Sequence, residues 1–141
     1  TLMVGFPGET EADFAALRSF VEEARFDHLG VFAFEPEEPA PAAKFSGKVL
    51  KAVQRKRRAQ ILSAQKKISL DLNRARVGTE YEILVEGPSP DSPLVMAGRA
   101  YFQAPEVDGL IYFDGRQPKS GQMVRARATQ ARAYDLAARL V

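Results

Sequence analysis

The sequence contains no cysteine, so disulfides, thiolate nucleophiles and sulfur-ligated metal centres cannot form within its 141 residues. A single histidine, His28, leaves too few imidazole groups for a histidine-based metal site. There is no run of about 18 apolar residues, which argues against a transmembrane helix, and no leader of the secretory type. We therefore expect a cytoplasmic protein without a membrane partner, and we expect any metal chemistry to lie outside these residues.

Charge is distributed along the chain in three blocks. Residues 1–43 carry two arginines against nine acidic residues, a net charge of −7. Residues 44–76 carry eleven basic residues against one aspartate, a net charge of +10, and residues 77–141 carry seven basic against eight acidic residues, a net charge of −1. Such blocks indicate separate structural pieces. We predict two domains, residues 1–76 and residues 77–141.

The first 43 residues have the pattern of a strand, a helix and a second strand. Thr1–Val4 and Leu29–Phe34 are short apolar runs without alternation, as in parallel strands that are buried on both faces. Between them, Thr10 and Asp13 have the spacing of a capping box at a helix start. Two parallel strands do not form a self-sufficient sheet. We therefore expect neighbouring strands from sequence that precedes residue 1, which would make the chain the C-terminal piece of a longer protein.

The turn Val4–Thr10 joins the first strand to the helix, at the sheet edge where α/β proteins bind ligands. It contains Gly5 and Gly8 but no third glycine and no Lys-Ser/Thr pair. This spacing matches neither the dinucleotide-binding motif nor the P-loop. From the residues alone, the glycines indicate a tight turn beside Pro7.

Residues 48–75 have the pattern of one long amphipathic connector helix. Arg57 interrupts a row of apolar residues that otherwise recur at spacings of three and four: Leu50, Val53, Ile61, Ala64, Ile68 and Leu72. The other faces are rich in lysine and arginine. These basic residues either bind the phosphate backbone of RNA or form the solvated surface of a connector, and the sequence leaves both interpretations open.

After Gly78 the hydrophobic period changes from 3.6 to 2, which is typical of half-buried strands. The first strand begins near Glu80, and Pro88, Pro90 and Pro93 are expected to end it. Four more strand candidates follow, at residues 94–103, 109–113, 123–130 and 134–141. Five short strands favour an antiparallel barrel of the OB type. Such barrels can bind nucleic acid through stacking aromatics, but a net charge of −1 provides no attraction for a polyanion.

Several segments resemble the radical S-adenosylmethionine methylthiotransferases, and the resemblance covers essentially the whole chain. The family's α/β barrel has late strands that resemble Leu2–Thr10 and Phe26–Glu38. Its connector resembles residues 48–75, and its C-terminal TRAM domain resembles residues 77–141. Within the superfamily, three short segments resemble the branch called RimO, which modifies an aspartate of small-subunit ribosomal protein S-twelve: Gly98-Arg99, Ala104–Tyr112 and Ala133–Leu136.

The resemblance implies the end of a radical-SAM α/β barrel, a long connecting helix and a five-stranded antiparallel OB-like (TRAM) barrel. It implies an enzyme that uses S-adenosylmethionine and two 4Fe-4S clusters. The cysteine ligands of those clusters are absent from this chain, so the segment alone should be inactive. The resemblance names no catalytic residue and no metal ligand in this chain. It implies that five residues contact the adenine of the cofactor: Met3, Gly5, Val31, Phe32 and Ala33.

The implied partner is ribosomal protein S-twelve, recognised by the TRAM barrel, with possible rRNA contact through the basic helix at residues 48–75. Two alternatives stay open. The chain could belong to an enzyme of the branch that methylthiolates a tRNA adenosine, or it could be a non-catalytic module that binds RNA or the ribosome.

Overall fold

The computed structural model describes residues 1–89 and 91–141, which form two compact units, Thr1–Ile68 and Ser69–Val141. Pro90, one of the three prolines predicted to end the first barrel strand, lies outside the described residues. Within the described ranges, no helix combines the length and apolar character needed to cross a bilayer.

The first unit contains a pair of parallel strands and a helix. Strand β1 (Leu2–Val4) pairs with β2 (Val31–Ala33), and Met3 lies opposite Phe32. Helix α1 (Glu11–Ala24) begins with the predicted capping box: the Thr10 hydroxyl accepts from the Asp13 amide at 3.2 Å, and the Asp13 carboxylate accepts from the Thr10 amide at 2.9 Å. The strand–helix–strand prediction is therefore confirmed.

A short 3-10 helix (Pro41–Lys44) precedes the long helix α2 (Lys51–Arg76), whose 26 residues span about 40 Å. The helix itself is confirmed, but the predicted apolar row coincides only in part with the buried face: Ile61 and Ile68 are buried, whereas the other predicted positions are half-buried or exposed. Leu50 is 74% exposed and lies outside the helix. The buried positions are mostly polar: Gln54, Arg57, Ile61, Gln65, Ile68, Ser69 and Asn73. Polar side chains occupy this face because backbone carbonyls and carboxylates lie against it and need hydrogen-bond partners.

The second unit is a closed barrel with strand order β3-β4-β5-β7-β6. All five predicted strands are present: β3 (Glu80–Ser89), β4 (Ser92–Arg99), β5 (Ile111–Phe113), β6 (Met123–Ala131) and β7 (Leu136–Leu140). Strand β3 runs on through Pro88, because Pro88 lies between two register irregularities where a missing amide donor is tolerated. Strand β3 contributes Ile83 and Val85 to the barrel core, where they are buried together with Ile111, Phe113 and Leu136.

The prediction of a wholly antiparallel barrel is wrong for one strand pair. β5 and β7 run parallel, with Ile111 opposite Leu136, while the other four pairs are antiparallel. The reason is parity. Strand direction cannot alternate all the way around a closed ring with an odd number of strands, so at least one neighbouring pair must point the same way.

Candidate functional site

Met3 and Phe32 lie side by side on the exposed face of the β1–β2 pair. They are register partners in a parallel ladder, so their side chains share a face, and they are 52% and 61% exposed. Val4 and Val31, on the opposite face, are 0% and 3% exposed. An exposed thioether beside an exposed phenyl ring is an apolar surface against which a flat heteroaromatic ring can pack.

The other three predicted cofactor residues are placed differently. The Val31 side chain is buried, so this residue can meet a ligand on the exposed face only through backbone groups. Its carbonyl already accepts from Arg58 Nε at 2.8 Å. Ala33 is half-buried opposite Val4, and Gly5 is buried just beyond the end of β1.

Gly5 is required by its backbone conformation and by its neighbour. Its φ of +73° lies in the left-handed region, its amide donates to Glu9 Oε2 at 2.9 Å, and its carbonyl accepts from Gln54 Nε2 at 3.0 Å. A Cβ atom here would lie within 3.0 Å of the Gln54 side chain. The space beside Gly5 is therefore filled by α2, as a tight-turn glycine predicts, and is not open to a ligand.

A group of three side chains, which we call the strand-end network, joins α2 to the turn after β1. Its members are Gln54, Arg57 and Glu9. Arg57 Nη1 donates to Glu9 Oε1 at 2.5 Å and to the Glu9 carbonyl at 3.2 Å, and Arg57 Nη2 donates to Glu11 Oε1 at 2.6 Å. The side chains of Arg57 and Glu9 are only 5% and 11% exposed. This is a buried, hydrogen-bonded ion pair at the carboxyl end of β1.

The charge of Arg57 is maintained by its partners. Burial of the guanidinium lowers its pKa, but the hydrogen bonds to Glu11 and Glu9 outweigh burial and raise the pKa above its ordinary value. The guanidinium also lies 5.4 Å from the centre of the Phe14 ring. Arg57 is therefore a permanent cation that ties α2 to the start of α1 and to the turn before it.

Sequence reasoning missed Gln54 and Arg57 because it followed apolar residues only. Arg57 was an interruption in that row, whereas in the structure it lies within the buried face. A signal was available: Gln54, Arg57 and Gln65 share one helical face with Ile61 and Ile68 at spacings of three and four.

The residues of this chain fit S-adenosylmethionine but not an iron–sulfur cluster. Met3 and Phe32 fit the adenine part of S-adenosylmethionine, because they offer an exposed apolar surface. The described residues include no cluster of His, Cys, Asp or Glu that could hold a metal ion, and the chain has no cysteine. These residues therefore do not fit an iron–sulfur cluster, whose ligands would have to come from elsewhere.

A groove of about 340 Å³ lies between α1 and α2 in the first unit. Three of its lining side chains are basic, Arg18, Arg25 and Lys67, and one is acidic, Glu22. Arg18 Nε donates to Glu22 Oε1 at 2.9 Å, so one of the three cations is partly neutralised.

The barrel has a pocket of about 240 Å³ whose lining includes Tyr112, Asp91, Arg132 and Asp135. Tyr112 alternates with the core residues on either side of it in β5, so its ring lies outside the barrel core. Burial, followed by the nearby charges of Asp135 and Asp91, raises the pKa of the Tyr112 hydroxyl. The Tyr112 hydroxyl therefore keeps its proton to a higher pH than an ordinary tyrosine and can donate a hydrogen bond in this pocket.

Comparison with known proteins agrees with the fold. Residues 77–141 match the family model for the TRAM domain. The chain is 43% identical over all of its 141 residues to the ribosomal protein uS12 methylthiotransferase RimO of Geobacter sulfurreducens, covering 32% of that protein. It is 46% identical over 140 residues to the protein of the same name from Anaeromyxobacter sp. (strain K), covering 99% of this chain and 30% of the relative. A third relative of that name, from Nitratidesulfovibrio vulgaris (strain DP4), is 44% identical over 138 residues, covering 98% of this chain and 32% of the relative.

The chain spans about a third of the length of these relatives. The matches extend over both structural units, from the parallel strands to the end of the barrel. The chain therefore belongs to the RimO family and corresponds to the TRAM-containing C-terminal part of its members.

Proposed function

We propose that this chain is the C-terminal part of an enzyme that methylthiolates an aspartate of uS12, which is ribosomal protein S-twelve. The names of relatives that match the whole chain support this proposal. In it, residues 1–76 complete a radical-SAM α/β barrel and provide the connector helix, and residues 77–141 form the TRAM domain. Two 4Fe-4S clusters are held by sequence outside residues 1–141, so this segment alone is inactive. A ribosomal substrate places the reaction in the cytoplasm.

The observation that supports this proposal best within the chain is the exposed pair Met3 and Phe32 at the predicted cofactor positions. When bound, S-adenosylmethionine supplies the radical chemistry of the family. Met3 and Phe32 pack against its adenine and exclude water from that face of the ring. Ala33 contributes backbone groups near the carboxyl end of β2. Gly5, whose amide and carbonyl are bound by Glu9 and Gln54, and Val31, whose carbonyl is bound by Arg58, hold the backbone on either side of Met3 and Phe32.

The test uses the full-length protein with reconstituted clusters, together with S-adenosylmethionine, a reductant, and either uS12 or tRNA. We expect tandem mass spectrometry to locate a methylthio group on one aspartate of uS12. Modified tRNA with unmodified uS12 would instead assign the protein to the tRNA branch. If neither substrate is modified, a non-catalytic binding module becomes the better description.

We propose further that the TRAM barrel recognises the protein substrate. Its near-neutral charge does not favour a polyanion, and its loop between β4 and β5 exposes Tyr101 by 92% and Val107 by 82%. Gln103 holds this loop by accepting from the Ala100 amide at 3.0 Å and donating to the Gly109 carbonyl at 2.6 Å. Rigid, exposed apolar side chains are typical anchors of protein interfaces.

Binding of uS12 to full-length variants tests this role. Tyr101→Ser should weaken uS12 binding, whereas Leu94→Ser, which alters a 74% exposed side chain on β4, should not. Equal uS12 affinities for the Tyr101 variant and the wild type would contradict substrate recognition by this loop.

A second candidate partner is rRNA, bound through the basic helix that was predicted at residues 48–75 and that the structure gives as α2, Lys51–Arg76. The groove lined by Arg18, Arg25 and Lys67 favours it, because it adds cations from α1 to those of α2. The replacement of Lys66 and Lys67 by alanine should weaken binding of the full-length protein to small ribosomal subunits and reduce the salt dependence of that binding. The matched control replaces Arg116 and Lys119 on the barrel. Unchanged binding in the helix variant would leave these lysines as solvated surface.

A further inference from the structure

We infer that α2 supports the cofactor site, because Gln54, Arg57 and Arg58 are positioning residues that hold the backbone of β1 and β2 beside Met3 and Phe32. This inference rests on the proposed function, because it assumes that the exposed face of β1 and β2 binds S-adenosylmethionine. It adds the residues of α2 as determinants of cofactor affinity, although none of them needs to touch the cofactor.

Gln54 joins the ends of the two strands. Its side-chain nitrogen donates to the Gly5 carbonyl at 3.0 Å and to the Phe34 carbonyl at 3.3 Å. Gly5 follows β1 and Phe34 follows β2, so one buried amide group fixes the spacing of both strands at their carboxyl ends. Met3 and Phe32 are each two residues before the carbonyl that Gln54 holds.

Arg57 fixes the turn that follows β1. Its ion pair holds the Glu9 carboxylate, and the other oxygen of that carboxylate accepts from the Gly5 amide at 2.9 Å. The Gly5 amide and carbonyl are therefore both held, the amide through Glu9 and the carbonyl through Gln54. With both groups fixed, the backbone after Met3 has little freedom to rotate.

Arg58 fixes the outer edge of β2. In a parallel ladder, alternate residues direct their backbone groups toward the partner strand. Phe34 directs its amide to the Val4 carbonyl, so Val31, an odd number of residues away, faces the outer edge. Arg58 Nε donates to the Val31 carbonyl at 2.8 Å. Two short strands are not rigid without such support, and α2 supplies it at three backbone positions.

The test measures the affinity of the cluster-reconstituted full-length protein for radiolabelled S-adenosylmethionine by equilibrium dialysis, so that turnover plays no part. Gln54→Ala should raise the Kd about tenfold, the lower end of the effect seen when residues that orient the ligands of a bound metal are removed. Arg57→Lys keeps the charge but cannot reach Glu9 and Glu11 with the same fork of donors. It should raise the Kd as well.

The matched control is Gln65→Ala. Gln65 lies on the same buried face of α2 and donates to two backbone carbonyls, that of Phe26 at 2.6 Å and that of Asp27 at 3.4 Å. Both carbonyls belong to the connection between α1 and β2, not to the carboxyl ends of the two strands. The control should lose thermal stability to an extent similar to Gln54→Ala and keep the wild-type Kd.

Three results would overturn the inference. One is an unchanged Kd in Gln54→Ala, and another is an equal rise in Gln54→Ala and Gln65→Ala, which would reduce Gln54 to a general stability residue. In both cases the wild type still binds S-adenosylmethionine, so the proposed function stands. A wild-type protein that does not bind S-adenosylmethionine would overturn the proposed function and this inference together.

Discussion

A Cβ atom on Gly5 would lie within 3.0 Å of the Gln54 side chain, so these two residues pack together only because one of them has no side chain. The same pair shares a hydrogen bond of 3.0 Å from the Gln54 amide nitrogen to the Gly5 carbonyl. The glycine is thus needed for the contact between the turn and α2 as well as for its own φ of +73°.

Gly5→Ala should therefore destabilise the first unit more than Gly8→Ala does. Both positions have positive φ, but a Cβ on Gly8 would meet nothing within 4 Å. We expect a cost of about 1 kcal/mol for Gly8→Ala from backbone strain alone, and about 3 kcal/mol for Gly5→Ala, where overpacking is added. Amide hydrogen exchange in β1 and β2 measures both costs. Equal costs would contradict the steric role of Gln54.

Arg57→Ala should cost about 3 kcal/mol of unfolding free energy, because it leaves the buried Glu9 carboxylate without its cation. Glu11→Gln is the control: its carboxylate contacts the same guanidinium but is 83% exposed, so its loss should cost less than about 1 kcal/mol. Chemical denaturation of the two variants provides the comparison. A small effect of Arg57→Ala would mean that Glu9 finds another partner or water.

Gln103→Ala should loosen the loop between β4 and β5. The buried side chain accepts from Ala100 and donates to Gly109, and its removal leaves two backbone groups unpaired, at a cost of about 2 kcal/mol. Faster hydrogen exchange at residues 100–109 would report the change. Gln130→Ala, an exposed position on β6, should leave exchange in this loop as it is in the wild type.

Tyr112 should ionise later than an ordinary tyrosine in an alkaline titration followed by tyrosinate absorbance. Burial raises its folded-state pKa above 10.0, so its neutral form stabilises the barrel below pH 10.0, and this stabilisation is lost as the pH rises through the folded-state pKa. Tyr112→Phe should remove the delayed component from the titration. Tyr101→Phe, at a position 92% exposed, should leave that component in place. A Tyr112→Phe titration with the delayed component intact would contradict the assignment.

Features set by local sequence were predictable. The Thr10 capping box, the long helix and the five barrel strands each depend on residues close together in the chain, and each is present. The parallel β5–β7 pair was not predicted, although it follows from counting: five strands in a closed ring cannot alternate throughout.

The polar residues on the buried face of α2 were not predicted, for a different reason. Hydrophobic periodicity detects faces that are buried against apolar surface, whereas Gln54 and Arg57 are buried against backbone carbonyls and a carboxylate. Nothing in their local sequence shows where those acceptors are, because Gly5 and Glu9 are about fifty residues away. Met3 and Phe32 were named separately by resemblance. That they lie opposite each other on an exposed face depends on the strand register, which the sequence does not give.

Closure of the barrel has a consequence for how the two units can change during evolution. Every strand from β3 to β7 has a neighbour on both sides, so the barrel needs no strand from another domain. It can be joined to a different protein as a self-contained domain. Among the described residues, the β1–β2 pair has no strand on either outer edge, and Arg58 binds one carbonyl on the β2 edge, so the pair depends on its surroundings more than the barrel does. Gene rearrangement should therefore exchange the barrel more readily than the β1–β2 pair.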